Sequence, residues 1–289
     1  MSDRLTAAIA RARARRSGTR PAEPRPERAR AAAPPEAWET LPKIEPDAAT
    51  LLRERVVTRD KSDPSHAVFD TLRTRLGPMA LDQGIRRIGI TSPTQGCGKT
   101  VLAANLAFSF ARMPQMRVVM VDLDMRIPRL SRILGLHDRR ALRWLLEGRV
   151  PPEQFLLRAG PRLAVALNGQ RMRNSAELLQ TDSARDALAR IDELLRPDLM
   201  ILDLPPVLVG DEALSCLAHV DAAILVAGAG QTLPEEIEEC EGLIGEETRF
   251  LGVVLNRADP ALDGGYGYGY AYGYGADEDE PWDSARDER

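Results

Sequence analysis

Apolar residues cluster along the chain in short runs separated by segments of helical spacing. The runs Arg87–Thr91, Arg117–Asp122, Leu163–Leu167, Leu199–Asp203, Ala222–Ala227 and Leu251–Leu255 read as buried strands. Between them, helical patterning covers Lys99–Arg112, Arg129–Leu136, Ala141–Glu147 and Ala176–Leu195, with an interruption near Thr181–Ser183. Upstream, His66–Leu76 places Ala67, Val68, Leu72 and Leu76 along part of one face, ahead of Pro78. Continuous apolar strands alternating with helices imply parallel β-α-β crossovers, hence an α/β fold with a mostly parallel sheet and helices on both faces.

The ends of the chain break this pattern. Residues 1–49 are rich in Arg, Ala and Pro and read as a disordered arm, with a short basic helix expected over Arg4–Arg16. One domain is expected over residues 50–260, and residues 261–289 read as a flexible Tyr/Gly cluster with an acidic tail. Residues 1–30 carry nine arginines against three acids, net +6; residues 276–289 carry seven acids against two arginines, net −5. The basic arm is either a solvated tail or a docking arm for an acidic partner or anionic surface.

Composition removes several function classes. The longest charge-free apolar run, Ala222–Gly230, has nine residues, against about 20 for a spanning helix. No apolar stretch follows the N-terminal arginines, so no signal peptide is expected. Three cysteines are too few for a disulfide framework and favour a reducing, cytoplasmic setting. His66, His137 and His219 lack metal-ligand spacing and are expected to be structural or surface residues. Cys97 is expected to fit its loop rather than to act as a redox thiol. The chain has five tyrosines, Tyr266, Tyr268, Tyr270, Tyr272 and Tyr274, all in one segment. Compositional bias accounts for that, and so does a kinase that must not modify its own body.

The chemistry concentrates at three strand ends. Ile88 to Thr100 reads IGITSPTQGCGKT, a strand, a glycine turn and a helix start. Glycines let backbone N–H groups close round phosphate oxygens, and the helix N-terminus adds positive potential. Lys99 is placed to neutralise the β and γ phosphates and Thr100 to ligate Mg²⁺. The strict G-x-x-x-x-G-K-[ST] pattern is incomplete, because Pro93 stands at its first glycine. The strand VVMVD ends in Asp122, with Asp124 two residues on, and LMILD ends in Asp203 before two prolines. Acids at the carboxyl ends of parallel strands face the ligand crevice of an open α/β sheet. Together the three features read as an ATP·Mg²⁺ site.

These motifs, with Asn174–Leu179 and Gly252–Asn256, resemble the bacterial tyrosine autokinases of capsule and exopolysaccharide export (the CpsD/CapB type), relatives of the MinD/ParA ATPases. The resemblance spans roughly residues 50–275. It implies an ATP-dependent protein-tyrosine kinase, with Tyr266, Tyr268, Tyr270, Tyr272 and Tyr274 as autophosphorylation sites. It further implies that Thr94, Gln95, Gly96, Cys97, Gly98, Lys99, Thr100 and Val101 hold the phosphates, and that Asn256 contacts adenine. Thr100, Asp124 and Asp203 would organise Mg²⁺. Asp122 would accept or orient the tyrosine proton, with Asp124 able to exchange roles, and Arg126 would stabilise the loop or the transferring phosphoryl. A membrane-bound Wzz-like polysaccharide co-polymerase is the implied activator. The chain would then lie peripherally at the inner membrane face as a homo-oligomer, with other protein substrates possible and no nucleic-acid partner.

Two departures matter. Thr94 stands where the MinD/ParA branch carries its signature lysine, which disfavours the alternative of an ATPase switch without kinase activity. The intact Lys99, Asp122, Asp124 and Asp203 disfavour a scaffold that binds ATP only to assemble. The family's ring-assembly motif E-x-x-R-x-x-R falls on Ala67, Asp70 and Arg73, so only its last position is kept.

Overall fold

The computed structural model describes residues 35–258 except 62 and 137. The expected basic helix, the tyrosine cluster, the acidic tail and His137 lie outside the described residues.

Six strands are parallel: β1 (Arg87–Thr91), β2 (Val118–Asp122), β4 (Leu163–Ala166), β5 (Leu199–Asp203), β6 (Ala222–Gly228) and β7 (Arg249–Asn256). The two-residue β3 (Leu157–Arg158) adds an antiparallel edge. The spatial order is β3-β4-β2-β5-β1-β6-β7. The mostly parallel α/β sheet expected from the sequence is thus borne out, and β1 and β5 begin and end at the expected residues.

Side chains alternate across the sheet with period two, which divides the core. Val119, Val121, Met200, Leu202, Ala223 and Leu225 join one apolar cluster with the helix Asp182–Leu195. Val118, Met120, Leu199, Ile201, Ala222 and Ile224 join the other with the helix Lys99–Ala111. Both faces are therefore dry, and the polar ends of the strands are left for chemistry. Gly89 lies at a tight point of β1, where a Cβ would meet Leu204 Cδ1 at 2.7 Å.

Two expectations are corrected. The segment 35–49 is part of the fold. Trp38 is 2% exposed and its indole N–H donates to Leu195 O at 2.8 Å. Leu41 is equally buried, Lys43 bridges to Arg158, and Asp47 caps a helix at Ala48–Arg53. Sparse apolar anchors suffice because the surface they cover is supplied by distant helices. The helix that begins at His66 also runs to Asp82, through Pro78. Proline removes one backbone hydrogen bond, yet the added turn buries Ala80 beside Leu76 against the helix Lys99–Ala111.

Candidate active site

The loop after β1 sets the phosphate cradle. Gly96 and Gly98 take φ +87° and +95°, a region that glycine enters at no steric cost. Gly98 then caps the helix that opens with Lys99 and Thr100. Cys97 is fully buried, its Sγ 3.4 Å from Thr94 O and 3.6 Å from Thr232 Oγ1. It fits the loop, as expected.

Asn256, the residue that the resemblance places near adenine, donates from Nδ2 to Cys97 O at 2.9 Å, so the end of β7 clamps the loop. Gln231, unremarked in the sequence, donates to Gln95 O at 2.7 Å from the other side. Of the remaining loop residues, Thr94 and Val101 are half-buried and Gln95 and Gly96 are exposed.

Lys99 is 8% exposed and lies among carboxylates: its Nζ is 2.8 Å from Asp124 Oδ2 and 3.2 Å from Asp203 Oδ1. Burial alone would lower its pKa, but Asp203 and Asp124 outweigh burial and raise it, so the ammonium is retained. Asp122 and Asp203 are fully buried. Asp122 Oδ2 accepts from Leu130 N at 3.2 Å, whereas Asp122 Oδ1 and Asp203 Oδ2 have no hydrogen-bond partner. Burial and the charge of Asp203 push Asp122 well above the usual carboxylate range. Burial also raises Asp203, against the pull of Lys99 and the Thr100 hydroxyl. Asp124 differs, because both its oxygens are engaged: Oδ1 accepts from Ile127 N at 3.0 Å and Oδ2 meets Lys99. One lysine among three buried acids leaves negative charge uncompensated, and buried groups of this kind call for a cationic partner.

Arg126 does not join this cluster. Its guanidinium is half-exposed and pairs with Glu212 Oε2 at 3.4 Å, and Ser175 Oγ donates to the same carboxylate. Glu212 is 5% exposed and carries no motif that would reveal it. His66 and His219 are structural, bonded to Asp63 O and Leu179 O. Among the described residues no trio of His, Cys, Asp or Glu forms a ready metal cage.

Residues 88–265 match the CobQ/CobB/MinD/ParA nucleotide binding domain. The chain belongs to that family. The tyrosine-protein kinase YwqD of Bacillus subtilis is 28% identical over 190 residues, covering 65% of this chain and 79% of that one. EpsB of Ralstonia nicotianae is 34% identical over 223 residues, 73% of this chain but only 27% of that longer protein. Among solved structures, the chimerical protein CapA2B2 superposes with a TM-score of 0.64 at 26% identity, over 75% of this chain and 93% of that one. The resemblance to bacterial tyrosine kinases drawn from the motifs is borne out. The domain is a nucleotide-binding one.

Proposed function

We propose that this chain is an ATP-dependent protein-tyrosine kinase that phosphorylates its own C-terminal cluster, Tyr266 to Tyr274, and thereby regulates polysaccharide polymerisation and export. The observation that carries the reading is a P-loop Lys99 held by Asp124 and Asp203 beside a buried Asp122 whose Oδ1 has no hydrogen-bond partner, in a chain whose tyrosines all lie in one segment.

The residues fit Mg²⁺ and ATP. The positive φ of Gly96 and Gly98 gives the loop the turn in which backbone N–H groups can face phosphate oxygens, and the excess carboxylate charge suits a divalent cation. Thr100, Asp124 and Asp203 would hold Mg²⁺ with waters and phosphate oxygens completing its shell, in keeping with the ion's preference for few protein ligands. Bound Mg·ATP supplies an electrophilic γ-phosphoryl group.

The chain's own work is positioning and charge stabilisation. Lys99 exchanges a carboxylate for phosphate oxygens, a move its short ion pairs leave it poised to make. Asp122 Oδ1, buried and without a hydrogen-bond partner of its own, takes the proton of the attacking tyrosine hydroxyl. The Arg126–Glu212 pair steadies the loop after β2.

The tyrosines lie 10 to 18 residues beyond Asn256, a reach of about 30–60 Å when extended. That tether permits entry to a neighbouring subunit's site. With no helix among the described residues able to cross a membrane, a membrane-bound Wzz-like activator would bring this chain to the cytoplasmic membrane face.

Incubation with γ-labelled ATP and Mg²⁺ tests the reading. Label on tyrosine in the wild type and none in Lys99→Met supports it; ATP hydrolysis without phosphotyrosine assigns an ATPase switch instead.

A further inference from the structure

A cavity of about 340 Å³ lies between the loops that follow β2 and β4, lined by Met125, Arg143, Asn168, Arg171, Arg173 and Asn174. Ligand sites run from about 300 to 1,000 Å³, so this one suits a small molecule. Asn168 is 2% exposed. Its Oδ1 accepts from the Leu142 and Gln170 backbone N–H groups at 3.2 and 3.4 Å, which fixes the amide and makes Nδ2 the atom left over. Nδ2 is buried and has no hydrogen-bond partner. A buried donor left unpaired is destabilising, so its position calls for an acceptor. The wall beside it is tight: Gly169 N donates to Arg140 O at 2.8 Å, and a Cβ at Gly169 would meet Asp138 O at 1.9 Å.

The charge around this donor has one sign. Arg143, Arg171 and Arg173 are exposed and make no ion pair among the described residues, and no Asp or Glu lines the cavity. Asp138, behind the Gly169 wall, is held by Arg140. Guanidinium groups and an amide N–H only donate, so the occupant must be negative and rich in acceptors. A carboxylate offers two oxygens. A phosphate monoester offers three, at a charge of about −1.5 to −2, and is the better match to three forked cations.

We propose that this cavity is a second phosphate site, separate from the cradle at Gly96 and Gly98, and that it takes the terminal phosphate of a small molecule, as the free ion or as an ester. Asn168 Nδ2 donates to one phosphate oxygen, Arg171 and Arg173 close on the others, and Arg143 adds charge. Met125 and Met172 give the rest of an ester an apolar surface. The site borders the catalytic loop, because Met125 follows Asp124 and its carbonyl accepts from Met172 N at 2.9 Å. Binding here does not require that the chain be a kinase.

The test is equilibrium dialysis of the full chain against labelled inorganic phosphate and labelled glucose 1-phosphate, with the nucleotide cradle filled by Mg²⁺ and a non-hydrolysable ATP analogue. At least one probe is expected to bind. Asn168→Asp keeps an oxygen for the Leu142 and Gln170 N–H groups but replaces the donor with a charge, and should weaken binding about tenfold or more, a loss of about 1.4 kcal/mol or more. Arg171→Ala/Arg173→Ala, at exposed positions, should do the same. Arg190→Ala, exposed on the helix Asp182–Leu195 and outside the cavity lining, should leave binding unchanged. Tighter binding of glucose 1-phosphate assigns the ester; equal or weaker binding assigns the free ion. The proposal is overturned when neither probe binds, when binding appears only without the ATP analogue, or when it survives both the Asn168 and the paired arginine changes.

Discussion

Asp122 and Asp203 are register partners on adjacent parallel strands β2 and β5, so two fully buried carboxylates stand side by side at the sheet's carboxyl edge. Each retains one oxygen without a hydrogen-bond partner. The geometry follows from two apolar strands of equal length that both end in aspartate, VVMVD and LMILD.

That juxtaposition makes function and stability pull in opposite directions. Asp122→Asn keeps the shape, relieves like-charge repulsion and supplies a donor toward Asp203. The expected outcome is a gain of about 1–2 kcal/mol in unfolding free energy at neutral pH, with a fall of roughly 10²–10⁴ in phosphorylation rate. Denaturant unfolding and initial-rate measurements check the two halves.

The same pair sets a pH dependence. Burial raises the folded-state pKa of both carboxyls, most for Asp122. The folded state therefore binds more protons than the unfolded chain in the window above the ordinary carboxylate range. Stability from these groups is present at low pH and is lost as pH rises through their folded pKa values. Asp70 works in the opposite sense: burial would raise it, but hydrogen bonds from Ser109 and Arg112 prevail and lower it. Its contribution is lost as pH falls. Unfolding curves of wild type and Asp122→Asn should diverge toward alkaline pH, where the wild type weakens more than the variant, which keeps only the raised Asp203; parallel curves would refute the assignment.

Lys99→Met strands Asp124 and Asp203. Removing one partner of a buried pair costs about 3–5 kcal/mol, so this variant should lose stability as well as tyrosine labelling. Adding Asp203→Asn should recover part of the stability and none of the activity. Thermal unfolding of the single and double variants separates the effects.

Gly98→Ala meets two obstacles. Its φ of +95° disfavours any side chain, and a Cβ would come within 2.2 Å of Asn256 Nδ2. Nucleotide affinity should fall at least tenfold, corresponding to about 1.4 kcal/mol. Asn256→Ala in the same chain removes the clash but not the backbone strain, so titration calorimetry should show only partial rescue.

Trp38→Ala tests the corrected N-terminal boundary. Loss of a buried indole and its bond to Leu195 O should cost about 3–5 kcal/mol. A chain beginning at residue 50 should lose at least as much.

What was legible in the sequence follows from how local each signal is. β1 and β5 are bounded to the residue because β1 runs from Arg87 to a Ser-Pro turn and the apolar run of β5 ends at Asp203. Lys99, Thr100, Asp122, Asp124 and Asp203 were found because strand ends bring them together in any parallel sheet. The segment 35–49 was misjudged because Trp38 and Leu41 are isolated among prolines and polar residues, and their partners lie more than a hundred residues away. Gln231, Glu212 and the Asn168 amide were invisible for the same reason: their roles come from loops meeting in space. Asp70, at a degenerate ring-motif position, is consumed internally by Arg73, Arg112 and Ser109.

Site-resolved mass spectrometry after incubation with Mg·ATP bears most directly on the central claim. The expected result is phosphate on Tyr266, Tyr268, Tyr270, Tyr272 and Tyr274 of the wild type and unmodified tyrosines in Lys99→Met. A wild-type chain that turns over ATP while all five tyrosines stay bare contradicts it.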